Sequence, residues 1–203
     1  CIRDSLEPCV KGEAWDCLAM TEPDAGSDLR GMKATAKEEP SGDWLLNGTK
    51  HFISHADIAD FAIVFMASGS EQTKLGERKL ITAFFVDKDT PGFNIRDGYK
   101  NVSHRGYTNS ILDFSNVRLP KEAVLGEVHQ GFAIANDWLG ATRLQVGATC
   151  IGRARRALSH SVEWAANRQQ FGQTIGKFQG VSFKLADMAM ELKASELLLS
   201  LIH

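Results

Sequence analysis

The chain has 203 residues, enough for one large domain or two small ones with ample material for a core. Its 23 Lys and Arg against 25 Asp and Glu give no basic excess that would favour a nucleic acid or a membrane surface as partner. Cys1, Cys9, Cys17 and Cys150 form no C-x-x-C pair or disulfide framework, and no apolar run of about 18 residues suggests a membrane span.

Thiols without a framework suit a reducing, intracellular compartment. There is no initiator Met and no signal-peptide pattern, so the cytoplasm is the default compartment, and a cleaved organellar presequence would leave no trace. Both ends read as cut. The chain opens on Cys1 and closes on "MELKASELLLSLIH", still in helical rhythm with no Gly, Asn or Pro stop. The expectation is an internal piece of a longer protein.

The first informative stretch is "LAMTEPDAGSDLRG", Leu18 to Gly31. Pro23 and Gly26 bend the backbone between Thr21, Glu22, Ser27 and Asp28. Small residues around Gly26 leave several backbone N–H groups available to an anion or a heterocycle. Glu22 and Asp28 would repel an anion, so they are assigned to structure, whereas Thr21 and Ser27 offer hydroxyls. An ordinary surface turn is the plain alternative at this point.

From Asp43 to about Leu119 the chain falls into short runs rich in branched and aromatic residues. In "DWLLNGTKHFIS" the Asn47-Gly48 pair suggests a tight hairpin turn between two arms. "DFAIVFMAS", "LITAFFVD", "GFNIRD" and "NSILDFSNV" follow, and "SGSEQTKLGERK" between the first two reads as a polar loop with no core role. Strands at this spacing without helical periods between them predict an antiparallel barrel or sandwich. Alternation along "KHFIS" puts Phe52 and Ser54 on one face of a strand and His51 and Ile53 on the other. His51 and His55 would share a face only on a regular strand and have no third ligand nearby, so no metal is assigned.

After Gly126 the period becomes helical. Phe132, Leu139, Val146, Ile151, Ala154, Leu158, Val162 and Ala165 recur at near-helical spacing, with Gly172 as a plausible stop. Gly140, Gly147 and Gly152 each weaken a helix by about 1 kcal/mol, which suits close approach of another helix or a ligand. A second helix is expected from about Phe178. It has one apolar stripe of Val181, Leu185, Met188, Leu192, Leu199 and Ile202, and a second of Ala186, Met190, Ala194, Leu197 and Leu201. Two stripes imply burial on two sides, as inside a bundle.

"AMTEPDAGSDLRG", "FSNVRLPKEAVLG" and "NRQQFGQTIGKFQ" together resemble, in order, landmarks of the acyl-CoA dehydrogenase family. The resemblance implies an α+β multidomain fold. The end of an N-terminal helical domain (1–16) would precede a middle β-domain binding flavin and acyl-CoA (17–125), followed by the first two helices of a C-terminal four-helix bundle (126–203). It implies FAD as cofactor, held by Leu18, Ala19, Met20, Thr21, Gly26, Ser27, Phe52, Ile53 and Ser54, with Thr21 at the isoalloxazine ring and Ser54 at its N5. Phe52 stands for the family's usual Trp and Ser54 for its usual Thr. Arg168, Phe171, Phe178 and Gln179 resemble residues reaching the adenosine and pyrophosphate of a flavin on a neighbouring subunit, a task suited to arginine's paired donors. Ser27, Thr142 and Arg143 correspond to substrate positions.

The implied reaction is α,β-dehydrogenation of an acyl-CoA to the trans-2-enoyl-CoA, part of fatty acid β-oxidation, with electrons passing to an electron-transfer flavoprotein. Implied partners are the acyl-CoA and further copies of the chain, in a dimer or tetramer sharing the FAD site. The implied compartment is the bacterial cytoplasm or the mitochondrial matrix. A flavin-dependent oxidase on the same fold, of the acyl-CoA oxidase or nitroalkane oxidase kind, would show the same landmarks. A non-enzymatic scaffold would not need Thr21, Ser54 and Arg168 together. The reaction needs a carboxylate base. Some family members place a Glu where Thr142 stands, and threonine cannot take that role. Asp137 lies about 140° round the helix from it at 3.6 residues per turn. No catalytic base is assigned within the chain, and one is expected beyond His203.

Overall fold

The computed structural model describes residues 2–74, 76–103 and 105–200. The chain divides into two compact units, residues 1–135 and 136–203. The first unit opens with helix α1 (Ile2–Lys11), which ends at Gly12 in the left-handed region, φ +73, where only glycine carries no steric cost. Strands β1 (Asp16–Ala19), β2 (Thr35–Glu38), β3 (Trp44–Ser54), β4 (Phe61–Thr73), β5 (Gly76–Asp87), β6 (Phe93–Arg96), β7 (Asn109–Leu119) and β8 (Val124–Leu125) follow. They form one sheet in the order β6-β7-β3-β2-β4-β5-β8, with β1 beside β4. The expected β-domain followed by helices is therefore present. Most ladders are antiparallel, but β4 runs parallel to β1 and to the first residue of β2, so the sheet is mixed. One face is packed by alternating apolar residues. Trp44 meets Phe84 edge to face at 5.3 Å, Phe93 stacks on Phe114 at 4.9 Å, and Leu46, Val64, Val86, Leu112 and Val117 are fully enclosed. Each such side chain contributes about 1.5–3 kcal/mol on burial.

Two sequence expectations about turns in this unit are corrected. Asn47-Gly48 is no hairpin turn: β3 runs straight through it with a bulge between Leu46 and Gly48. Gly48 has φ +138, and a Cβ there would lie 2.4 Å from the Ala34 Cβ, so the glycine serves a close approach. The Asn47 side chain takes the Asn116 N–H at 2.8 Å, which uses up its turn chemistry. The hairpin lies earlier, at Glu39–Asp43, where Gly42 has φ +89 and the Glu39 N–H bonds the Asp43 carbonyl at 2.8 Å. Likewise "SGSEQTKLGERK" is mostly strand. β4 and β5 continue as a paired ribbon to Thr73 and Gly76, with Glu71 opposite and ion-paired to Arg78. Its outer residues are polar because they are mostly exposed on the ribbon, not because it is a loop.

Helix α2 (Gly131–Asn167) begins in the first unit and continues through the second, followed by β9 (Gln169–Gln170), β10 (Gln173–Thr174) and helix α3 (Gln179–Ser200). Gly172 does not stop α2, which ends at Asn167. Phe171 (φ +53) and Gly172 (φ +75) are instead the two central residues of the β9–β10 hairpin, and two left-handed residues in succession define a type I′ turn. Within the second unit α3 turns Val181, Leu185, Leu192 and Leu199 toward partial burial, while Met190 and Leu197 of the other stripe stay exposed. Arg155 and Glu196 pair across the two helices at 2.7 Å. Gly147 has Leu199 within ordinary contact, 3.5 Å from where a Cβ would sit, whereas Gly140 and Gly152 face open space. Leu201 and Ile202, expected to continue the stripes, lie outside the described residues.

Candidate functional site

The candidate site in the first unit forms where the exit of β1 meets the end of β3. Leu18 and Ala19 close β1, Ala19 and Met20 are buried, and Thr21 is half-exposed. Glu22 and Ala25 then exchange backbone hydrogen bonds of 2.9 and 3.2 Å around Pro23-Asp24, a closed tight turn. The Glu22 carboxylate is buried and saturated. It accepts the N–H groups of Lys33 at 2.5 Å and Ala34 at 3.1 Å, and the Lys50 ammonium at 2.7 Å. That ammonium also donates to the Met20 carbonyl at 3.1 Å and is wholly shielded from solvent. Burial pulls the Lys50 pKa below its ordinary value, against the opposing pull of Glu22. A buried pair of this kind is held by its full set of hydrogen bonds, and Glu22 is structural, as its charge implied. Asp28 caps a short 3-10 turn over Leu29–Gly31 with its backbone carbonyl only. Gly26 and Ser27 stand exposed beyond the closed turn, and among the described residues nothing accepts their N–H groups.

The other half of the site is a second bulge in β3. Lys50 pairs with Leu112 and Ile53 with Ser110, so His51 and Phe52 together oppose a single residue of β7. Freed from that ladder, the His51 N–H bonds the Thr21 carbonyl at 2.9 Å, which places the end of β1 beside the bulge. Phe52 takes φ +55 and projects outward, 47% exposed, while His51 and Ile53 turn inward and Ser54 is half-buried. The expected alternation is broken at the bulge: Lys50 and His51 are both buried, and the His51 and Phe52 rings lie 4.4 Å apart rather than on opposite faces.

Residues not anticipated from the sequence complete this cluster. Tyr99 stacks on Phe52 with centroids 4.3 Å apart and an interplanar angle of 28°, and its hydroxyl lies 3.2 Å from His51 Nδ1. Tyr107 packs against the His55 ring at 4.6 Å and donates its hydroxyl to Ser54 Oγ at 2.6 Å. Asn109 adds a bond from Nδ2 to the same oxygen at 3.3 Å. The only signal in the sequence was the pair of tyrosines in an otherwise polar segment, and nothing in their spacing linked them to Phe52 or Ser54. The histidines thus face tyrosines, and no metal-holding group of His, Cys, Asp or Glu occurs among the described residues.

In the second unit Thr142 turns its hydroxyl back onto the Trp138 carbonyl at 2.8 Å, and Arg143 is exposed one residue on. Arg168 follows the last residue of α2. Its N–H bonds the Trp164 carbonyl at 2.8 Å, its own carbonyl accepts the Ile175 N–H at 2.8 Å, and the side chain is exposed. The hairpin it opens carries Phe171 at its tip, 92% exposed, with Phe178 edge-on at 6.2 Å and Gln179 starting α3. The hairpin therefore groups Arg168, Phe171, Phe178 and Gln179 at one end of this unit. Thr142 and Arg143 lie far along α2 from that group.

The family model described as "Acyl-CoA dehydrogenase, middle domain" matches residues 17–117, and "Acyl-CoA dehydrogenase, C-terminal domain" matches residues 129–201. The short-chain specific acyl-CoA dehydrogenase of Megasphaera elsdenii is 38% identical over 94% of this chain and 49% of its own length. The caffeyl-CoA reductase-Etf complex subunit CarC of Acetobacterium woodii is 37% identical over 97% of this chain and 51% of its own. Among solved structures, the FAD complex of PigA superposes with a TM-score of 0.89 at 34% identity, over 98% of this chain and 50% of that one. The chain spans about half the length of the curated relatives it matches.

Proposed function

Because the chain belongs to the acyl-CoA dehydrogenase family, we propose that it supplies the FAD- and acyl-CoA-binding residues of an enzyme that removes hydrogen from the α and β carbons of an acyl thioester. The observation that supports the proposal is the Thr21–His51 backbone bond, which brings the end of β1, with Thr21, beside the bulge that carries Phe52 and precedes Ser54. The donor set fits the cofactor. Free N–H groups at Gly26 and Ser27 suit ring oxygens or a phosphate, and the exposed Phe52 offers an apolar face to a planar ring.

A flavin bound there would supply the hydride-accepting and electron-transferring chemistry. The residues of the chain bind and orient. Thr21 and Ser54 donate hydrogen bonds to ring heteroatoms, with Leu18, Ala19, Met20 and Ile53 forming the wall behind them. Lys50 and Glu22 neutralise each other, so neither charge faces the ring. Arg168 gives paired donors to a phosphate, and Phe171, Phe178 and Gln179 reach the adenosine, in a homo-oligomer that shares the site between copies. Ser27, Thr142 and Arg143 hold the acyl-CoA. The α proton must go to a carboxylate. Glu22 is saturated, so that base is assigned to no residue of this chain. By the name of the Acetobacterium relative, the electron acceptor is proposed to be an electron-transfer flavoprotein.

The test uses two variants of the complete gene product. Arg168→Ala should lower flavin retention roughly tenfold or more, since a charge-assisted phosphate contact contributes about 1.5–3 kcal/mol. Turnover per bound flavin should change little. Ser54→Ala should do the reverse, keeping flavin and losing turnover. Full flavin in the first and full turnover in the second would remove both roles.

A further inference from the structure

Ser54 is more constrained than a hydroxyl at a cofactor needs to be for binding alone. A serine oxygen has one proton to give and two lone pairs to receive. Here both lone pairs are engaged, by the Tyr107 hydroxyl at 2.6 Å and by Asn109 Nδ2 at 3.3 Å. Neither donor is loosely placed. The Tyr107 ring is held edge-on by His55, and the Asn109 amide is oriented because its Oδ1 accepts the Asn101 side chain at 2.6 Å. Among the described residues no group accepts the Ser54 proton. The hydroxyl is therefore a donor toward whatever lies in front of it and cannot act as an acceptor there.

We infer that Tyr107 is a positioning residue that, with Asn109, fixes the polarity of the Ser54 hydroxyl and so biases the bound flavin toward its oxidised form. The inference rests on the proposed reading that Ser54 faces the flavin N5. That nitrogen carries a lone pair in the oxidised ring and a hydrogen in the reduced one. A hydroxyl that only donates suits the first state and meets the second hydrogen to hydrogen. Removing the Tyr107 hydroxyl frees one lone pair of Ser54 and lets the serine rotate, so it can receive from the reduced ring. A tyrosine that merely anchors its segment would affect stability and leave the redox balance alone.

The experiment is a spectroelectrochemical titration of the FAD-loaded complete gene product, as wild type, Tyr107→Phe, Ser54→Ala and the double variant. Tyr107→Phe should raise the midpoint potential, with the ratio of reduced to oxidised affinity increasing up to tenfold, which is about 30 mV for a two-electron couple. In the Ser54→Ala background the same change should shift nothing, since the two act through one oxygen. An unchanged potential in Tyr107→Phe, with Ser54→Ala shifted, overturns the role of Tyr107 and leaves the flavin site standing. An equal shift with and without Ser54 also overturns it. If Ser54→Ala itself leaves the potential and the flavin spectrum unchanged, the placement of Ser54 at N5 falls and this inference falls with it.

Discussion

Lys50 carries a full charge into a place with no solvent, and the first unit tolerates this because every polar atom of the ammonium–carboxylate pair has a named partner. Removing one member should cost about 3–5 kcal/mol, because the other charge is left buried and uncompensated. Lys50→Met should therefore show a large drop in urea-unfolding free energy, and a loss below about 1 kcal/mol would mean the pair is not held as described. Glu22 could be assigned to structure from its sign alone. Lys50 could not be singled out, because a strand lysine is ordinarily a surface residue and only the bulge and the turn enclose it. Phe171 poses the opposite case. A bulky aromatic sits 92% exposed in a left-handed conformation that favours Gly or Asn. Stability alone does not select it. Phe171→Asn should raise the thermal midpoint slightly, by relief worth roughly 1 kcal/mol, while flavin retention falls. A variant that gains stability and keeps its flavin would deny Phe171 any binding role.

β3 is the element on which the site depends, and its two irregularities have different tasks. At the first, Gly48 allows the close pass of Ala34. Gly48→Ala should destabilise by about 1–3 kcal/mol from strain at φ +138 alone, measured by thermal denaturation, with the clash adding to it. Between the bulges β3 is tied to β6 and β7 through Asp113, which accepts Arg96 Nε at 2.5 Å and the Thr49 hydroxyl at 2.8 Å. The hydrogen bond from Arg96, followed by that from Thr49, holds the Asp113 pKa below its ordinary value against partial burial. A carboxylate with a depressed folded pKa stabilises above its unfolded pKa, and the contribution is lost as pH falls through the folded one. Stability curves of wild type and Asp113→Asn should accordingly differ at neutral pH and converge in the acid range; a gap that stays constant with pH would contradict the link. The strands and both helices were legible because their apolar periods are local. Asn47-Gly48 reads as a turn because the dipeptide's turn chemistry is also local, whereas the contact with Ala34 that decides its conformation is not. Tyr99 and Tyr107 escaped notice for the same reason, since only the fold brings them onto Phe52 and Ser54.

At the scale of the molecule, the residues proposed to bind cofactor and substrate are divided between the two units. The first presents hydroxyls, free N–H groups and an aromatic face, and the second presents an exposed arginine and an exposed aromatic hairpin. The residues proposed for each unit lie in short local motifs, whereas the proton acceptor is assigned to no residue of this chain because Glu22, the carboxylate at the β1–β3 junction, is already saturated. The β1–β3 junction is proposed to hold a flavin poised against an acyl thioester. The most direct measurement is the visible flavin absorption of the purified complete gene product, recorded anaerobically before and after addition of a saturated acyl-CoA, with the free acid as control. The protein should be yellow, with a flavin band bleached by the thioester and untouched by the acid. A colourless protein, or a flavin that no acyl-CoA reduces, would contradict it.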